Sequence, residues 1–284
     1  MTFQLFFMKT PTRSLRFLAA AATVLLAASC QKVITLDLKE SAPRLSIEGN
    51  LADDGQPCTV LLGRSVSYTE TNTFPAVSGA KVTLSDDVGG LETLAETSTP
   101  GQYRGRTVLG QPGRRYTLRV EVEGQAYVAA STLPSPVVPL AGLRAQKAPI
   151  GTNIQALPDY LDPAGTRNYY LFRQYRNGRL NPNIYLQNDE FTDGKANVRG
   201  LGTGGGGSRG TDADKLVAGD SLRVEMQNVD ADVYEYFRTL NLTLQGGGMA
   251  TASPANPKSN FSGDVLGYFS AHSVRRRTIL VPAL

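Results

Sequence analysis

His272 is the only histidine in the chain, and Ser270 and Ser273 stand beside it. A serine hydrolase would have to use this histidine as its base. Successive residues on a strand point to opposite faces, so Ser273 and His272 cannot pair as nucleophile and base, whereas Ser270 shares the His272 face. Nothing around Ser270 resembles a strained nucleophile elbow, and the expectation is an exposed histidine on a wet strand. Paired carboxylates offer a second route, to glycoside hydrolysis. Asp189, Glu190, Asp193, Asp212, Asp214 and Asp220 are the candidates, all in turn-like or Gly-rich contexts where acids commonly serve turn chemistry. Residues 188–194, NDEFTDG, have the outline of a calcium loop. Phe191 stands at the third loop position, where an oxygen ligand belongs, and the bidentate glutamate is missing, so a solvated turn is the expectation. One histidine and the apolar-flanked Cys58 cannot make a zinc site. The glycine run at 200–210 lacks the Gly-Lys-Ser/Thr ending of a phosphate loop. The sequence therefore points to no catalytic residue, no metal and no cofactor.

Cys30 carries the clearest chemistry. Residues 8–30 read MKTPTRSLRFLAAAATVLLAASC: Lys9, Arg13 and Arg16 are followed by an apolar run, then by Ala27, Ala28 and Ser29 directly before the cysteine. A positive head, an apolar segment too short for a stable span and a small-residue cleavage site make a secretory signal. Met8 opens a better signal than Met1. The cysteine at the cut looks like a lipobox, with Leu26 one place earlier than usual. Lipid on Cys30 would anchor the chain, since each buried methylene contributes ~0.8 kcal/mol and two or three acyl chains suffice where one is marginal. The expected segments are a lipoprotein signal peptide at 1–29 and a lipid-anchored tether at 30–43, in which Val33, Ile34, Leu36 and Leu38 could pair with the first sheet. No acidic run follows Cys30, so the face of the membrane is left open.

The formal charge of +4 is set by the signal, because Lys9, Arg13 and Arg16 leave with it and no acid does. A near-balanced mature chain lacks the electrostatic footprint of a nucleic-acid binder. With Cys30 lipidated, Cys58 has no disulfide partner, and the fold must stand on burial.

The elements that follow are mainly β. Strand-like alternation runs through 45–49, 58–62, 80–84 and 116–122, with turns at 53–55, 86–90 and 112–113 and a hairpin closed by Gly124 into 126–130. Residues 44–133 therefore read as one immunoglobulin-like or transthyretin-like β-sandwich. The run 77–84 with Gly101-Gln102-Tyr103 and Tyr116-Thr117-Leu118 resembles carboxypeptidase regulatory-type sandwiches. Pro134, Pro136 and Pro139 mark a stiff linker at 134–143. Residues 144–284 read as a second, mainly β domain with strands at 168–175, 184–186, 222–226 and 266–281, the last carrying a wet face at Arg275, Arg276 and Arg277. One packed α-helix is expected near 231–245, capped by Asp230 or Asp232, with Val233, Phe237, Leu240 and Leu244 at helical spacing. Its aromatics are mostly core, but Tyr169, Tyr175, Tyr185 and Tyr268 are candidates for a ligand or partner surface.

These landmarks together resemble the Bacteroidota-type lipoproteins of domain of unknown function family 4249. The carriers are Cys30 with Asp37-Leu38, residues 44–49, Val77-Ser78-Gly79-Ala80, Gly101-Gln102-Tyr103, residues 113–118, Asp162-Pro163, residues 168–173, Gly219-Asp220, Tyr234-Glu235-Tyr236 and residues 267–270. The resemblance implies an outer-membrane lipoprotein, often encoded near TonB-dependent transporters, and it carries over no catalytic residue. The expected partners are membrane lipid, through acylated Cys30, and a TonB-dependent outer-membrane barrel protein. The leading expectation is a non-catalytic accessory or binding component. A surface adhesin or envelope-structural module, and after it a glycan-active hydrolase, are the alternatives.

Overall fold

Apolar alternation builds the first half. The computed structural model describes residues 42–67, 74–202, 215–245 and 256–284; the signal, Cys30, Asp212 and Asp214 lie outside them. Strands β1 (Leu45–Ala52), β2 (Thr59–Arg64), β3 (Lys81–Asp86), β4 (Leu91–Glu96), β5 (Gln102–Arg104), β6 (Arg115–Val122) and β7 (Gln125–Thr132) come first. In β1, Leu45, Ile47 and Leu51 are buried, and in β6 so are Tyr116, Leu118 and Val120. Each set follows the period of two that turns one strand face inward. The two strands meet across the core at Gly49, where an added Cβ would lie 2.8 Å from Leu118 and 2.9 Å from Phe269.

The second half adds β8 (Gly142–Lys147), β9 (Ile154–Asp159), β10 (Tyr169–Arg176), β11 (Arg179–Leu180), β12 (Tyr185–Asn188), β13 (Ser221–Val229), helix α1 (Ala231–Gln245) and β14 (Leu266–Leu280). With 47% of the described residues in strands, the protein is mainly β. On β10 and β13, Tyr170, Phe172, Leu222, Val224 and Met226 belong to one cluster with Leu143, Ala156 and Tyr160 of the β8–β9 segment. The opposite face, with Leu171 and Val229, packs Val233, Tyr236 and Phe237 of α1. The result is three layers: hairpin, sheet and helix.

Asp230 caps α1, its Oδ1 accepting the Val233 amide at 2.9 Å. Its Oδ2 accepts from the Ser131 hydroxyl at 2.6 Å and the Thr132 amide at 2.9 Å, which ties the helix start to β7. Leu244, expected on the core stripe, is 36% exposed at the helix end.

The boundary at 133 does not divide the sheet. β14 runs parallel to β1 from Leu266 to His272 and antiparallel to β13 from Ser273 to Leu280. It joins both halves into one 12-stranded sheet. Phe261, Val265, Phe269 and Ala271 fill the sandwich core, so the sandwich draws residues from the far end of the chain. At Gly267 of β14, φ is +101° and an added Cβ would stand 1.9 Å from the Ile47 carbonyl oxygen of β1. Asp53 pins the change of partner: it accepts from the Val274 amide at 2.9 Å and pairs with Arg275 at 2.9 Å. The proline-rich stretch at 134–143 is no free linker either. Val138 and Leu140 are each 1% exposed, within the second region's core, and β8 begins at Gly142.

Candidate functional site

The structure does not gather the four candidate tyrosines. On β10, Tyr169 and Tyr175 face the helix layer while Tyr185 of β12, paired with Phe172, faces the hairpin layer. Tyr268 is buried between Tyr236, 4.9 Å away ring to ring, and Phe237, at 4.8 Å. Tyr169 stacks on Tyr234 at 5.0 Å, and the Arg223 guanidinium lies 3.9 Å from the centre of the Tyr175 ring. Each ring has its own packing partner, and period-two alternation puts the set on opposite sides of one sheet.

His272 is buried, contrary to the exposed position expected for it, because β14 is covered where it passes from β1 to β13. Its Nδ1 lies 2.9 Å from the Ser270 hydroxyl, and Ser270 itself is 2% exposed. Burial holds the imidazole below its ordinary range, against the pull of Glu225, Ser270, Asp53 and Asp54, so it is neutral at pH 7. The serine and histidine share a face as the alternation requires, but the pair is closed off from solvent. Ser273, on the other face, donates to Asn228 at 3.0 Å. Burial, reinforced by Glu92, pushes the Cys58 thiol up to about 12, well away from a reactive thiolate.

The carboxylates sort into two kinds. Asp220 is a turn acid: burial pushes its carboxyl up, but the Val217 amide, Arg176 and Asn177 bond it and hold it below its usual range. Asp189 and Asp193 instead come together with Asp162, one oxygen from each lying within 4.8 Å of the others. Three such charges repel by about 3 kcal/mol per pair at an effective dielectric of about 20. Two loops deliver them. Asp162 follows β9, Asp189 follows β12, and the loops are clasped by the Asp162 amide on the Lys195 carbonyl at 3.1 Å. The Asn168 amide donates to Asp189 Oδ2 at 2.7 Å, the Gly165 amide to Asp193 Oδ1 at 2.8 Å, and the Tyr170 hydroxyl to Asp162 Oδ1. Burial raises the Asp162 carboxyl; Tyr170 and the Gly194 amide oppose that rise, and Asp189 and Asp193 add to it. Asp162 Oδ2 is buried without a hydrogen-bond partner.

A separate cleft of about 320 Å³ opens on the sandwich beside β1 and β2, lined by Leu61, Leu62, Phe74, Pro100 and Leu266, with Glu48 at its side. Leu61 and Phe74 are exposed there.

The family described as Domain of unknown function (DUF4249) matches residues 31–278. The chain belongs to the DUF4249 family. No curated protein matches this DUF4249 chain. Among solved structures, a two fibronectin type-III domain segment from chicken tenascin is similar at 14% identity over 67% of this chain and 93% of that one, with a TM-score of 0.22. The acidic cluster was half visible in the DUF4249 sequence: Asp189 and Asp193 lie in the loop-like NDEFTDG run, but Asp162 is remote in sequence. Only the pairing of β10 with β12, which brings the two loops together, supplies it.

Proposed function

We propose that this protein is a lipid-anchored component of the outer membrane, non-catalytic, working as a binding or accessory partner of a TonB-dependent transporter. One observation carries the reading: the positive, apolar and small-residue segments end at Cys30, and the family match begins at the next residue, Gln31. A chain cut before Cys30 and acylated there would begin where the family begins. The transporter follows from the family resemblance. A non-catalytic role is supported by the enclosure of the only histidine and the burial of Cys58.

Growing cells on an alkyne-tagged fatty acid tests the anchor. The mature protein should take up the label, and Cys30→Ser should lose both label and membrane residence. An unlabelled, full-length wild-type chain would sink the reading. Crosslinking intact cells and pulling down through the C-terminus tests the partner, with a barrel protein expected among the products. Recovery of none would remove the transporter from the proposal and favour an adhesin or structural module.

A further inference from the structure

The acidic cluster of the second region asks for a cation. We propose that Asp162, Asp189 and Asp193 hold a calcium ion that locks the 162–168 loop onto the 189–195 loop. Their oxygens already converge within 4.8 Å. Independently of that spacing, Asp162 is only 2% exposed and its Oδ2 has no hydrogen-bond partner, an arrangement a folded protein avoids unless something occupies the lone pairs. Among the described residues, no lysine or arginine forms an ion pair with any of the three.

The donor set selects the metal. It is all oxygen, which suits a hard cation rather than zinc or copper. Two of the three carboxylates are buried, so the ion must shed much of its water. Calcium accepts six to eight oxygens in irregular geometry, whereas magnesium keeps its waters and demands a near-ideal octahedron. Asp193 is exposed and gives the ion a way in. The Tyr170 hydroxyl and the Asn168 and Gly165 amides fix one oxygen of each carboxylate, as outer partners orient the ligands of a metal.

The test uses the full chain, stripped with chelator and titrated with calcium chloride, terbium chloride or magnesium chloride. Tyrosine excitation should sensitise terbium emission, because Tyr170 bonds Asp162 and the chain has no tryptophan. Calcium should displace the terbium with a Kd of about 10⁻⁴ to 10⁻³ M, the range of extracellular modules, and should raise Tm. Asp193→Asn should weaken binding by about tenfold or more. The same variant should raise Tm in chelator, where repulsion is relieved, and lower it relative to wild type in calcium. Asp162→Asn should behave alike; if it fails to fold, the exposed Asp193 position still decides. Three outcomes overturn the proposal: no terbium emission and no Tm shift at about ten times that calcium concentration, an equal calcium response in Asp193→Asn and wild type, or magnesium acting as well as calcium.

Discussion

The sandwich and the three-layer region that follows it are held together differently. Among the described residues before 134, Ser131 is the only buried polar residue apart from the tyrosines, although the Asp53 and Asp86 side chains are held by Arg275 and Arg114, while Gln155, Asp162, Asn168, Gln174, Gln187, Asp189 and Asn197 are all buried after it. Two carboxylates at the sandwich rim serve as loop ties: Glu92 accepts the Arg106 and Thr107 amides at 2.9 Å, and Glu96 accepts the Gly101 amide at 2.8 Å. The later region buries its polar groups and bonds them to one another, as when Tyr160 donates to Gln187 at 2.8 Å. Apolar packing alone specifies a stable sheet. Buried polar networks fix one arrangement and make every missing partner costly, and the second region holds such atoms at Asp162 Oδ2, Gln174 Oε1 and Asn228 Nδ2, of which only the first belongs to the acidic cluster.

The sharpest way to break this contrast is at the strand both regions share. Gly267→Val would put a side chain into the Ile47 carbonyl at a φ only glycine favours, and should cost about 4 kcal/mol or more. Limited proteolysis should then cleave both regions together; survival of either alone would show that they fold independently. Next in size, Asp230→Ala removes the helix cap and leaves the Thr132 amide without its acceptor. It should lower stability by about 2–3 kcal/mol in urea unfolding, chiefly by loosening α1 from β7.

A smaller effect separates the regions by pH. The Gly101 amide, then the Ser78 hydroxyl and the Gly79 amide, hold the Glu96 carboxyl down to about 2. A depressed carboxyl contributes stability above its unfolded value of 4.5, and that contribution is lost as pH falls toward 2. Glu96→Gln should therefore flatten the fall in Tm between those pH values. Asp230 runs the other way: burial raises its carboxyl, so any contribution from its protonation is present below 3.8 and lost as pH rises through the folded value. An unchanged acid slope in Glu96→Gln would remove the rim-carboxylate half of the contrast. The smallest effect is expected at Tyr175→Leu, which gives up only the stacked Arg223 and should cost about 0.5–1 kcal/mol in the same urea assay.

The sandwich strands were legible because one face of each is apolar. The alternation of Leu45, Ile47 and Gly49, or of Tyr116, Leu118 and Val120, is the physical reason those strands exist. The helix was legible at 231–245 by its cap and its spacing. β4 escaped because LETLAE buries only Leu94, and the strands β8 and β9 escaped because GLRAQK and IQALPD bury residues without strict alternation. The parallel pairing of β14 with β1 could not be read, since nothing local records a partner more than two hundred residues away. A much shorter separation still hid Asp162 from Asp189 and Asp193, because β10, β11 and β12 intervene, and the distant pairing of β14 misled the reading of His272, whose neighbours come from elements remote in sequence.

The placement of β14 has a consequence for biogenesis. A sheet whose middle is laid down last cannot close while the polypeptide is still emerging, and contacts this distant in sequence slow closure further. Until its final segment arrives, β1 remains an open edge waiting for a neighbour, which delays compaction during synthesis and leaves the incomplete product dependent on protection from wrong pairing.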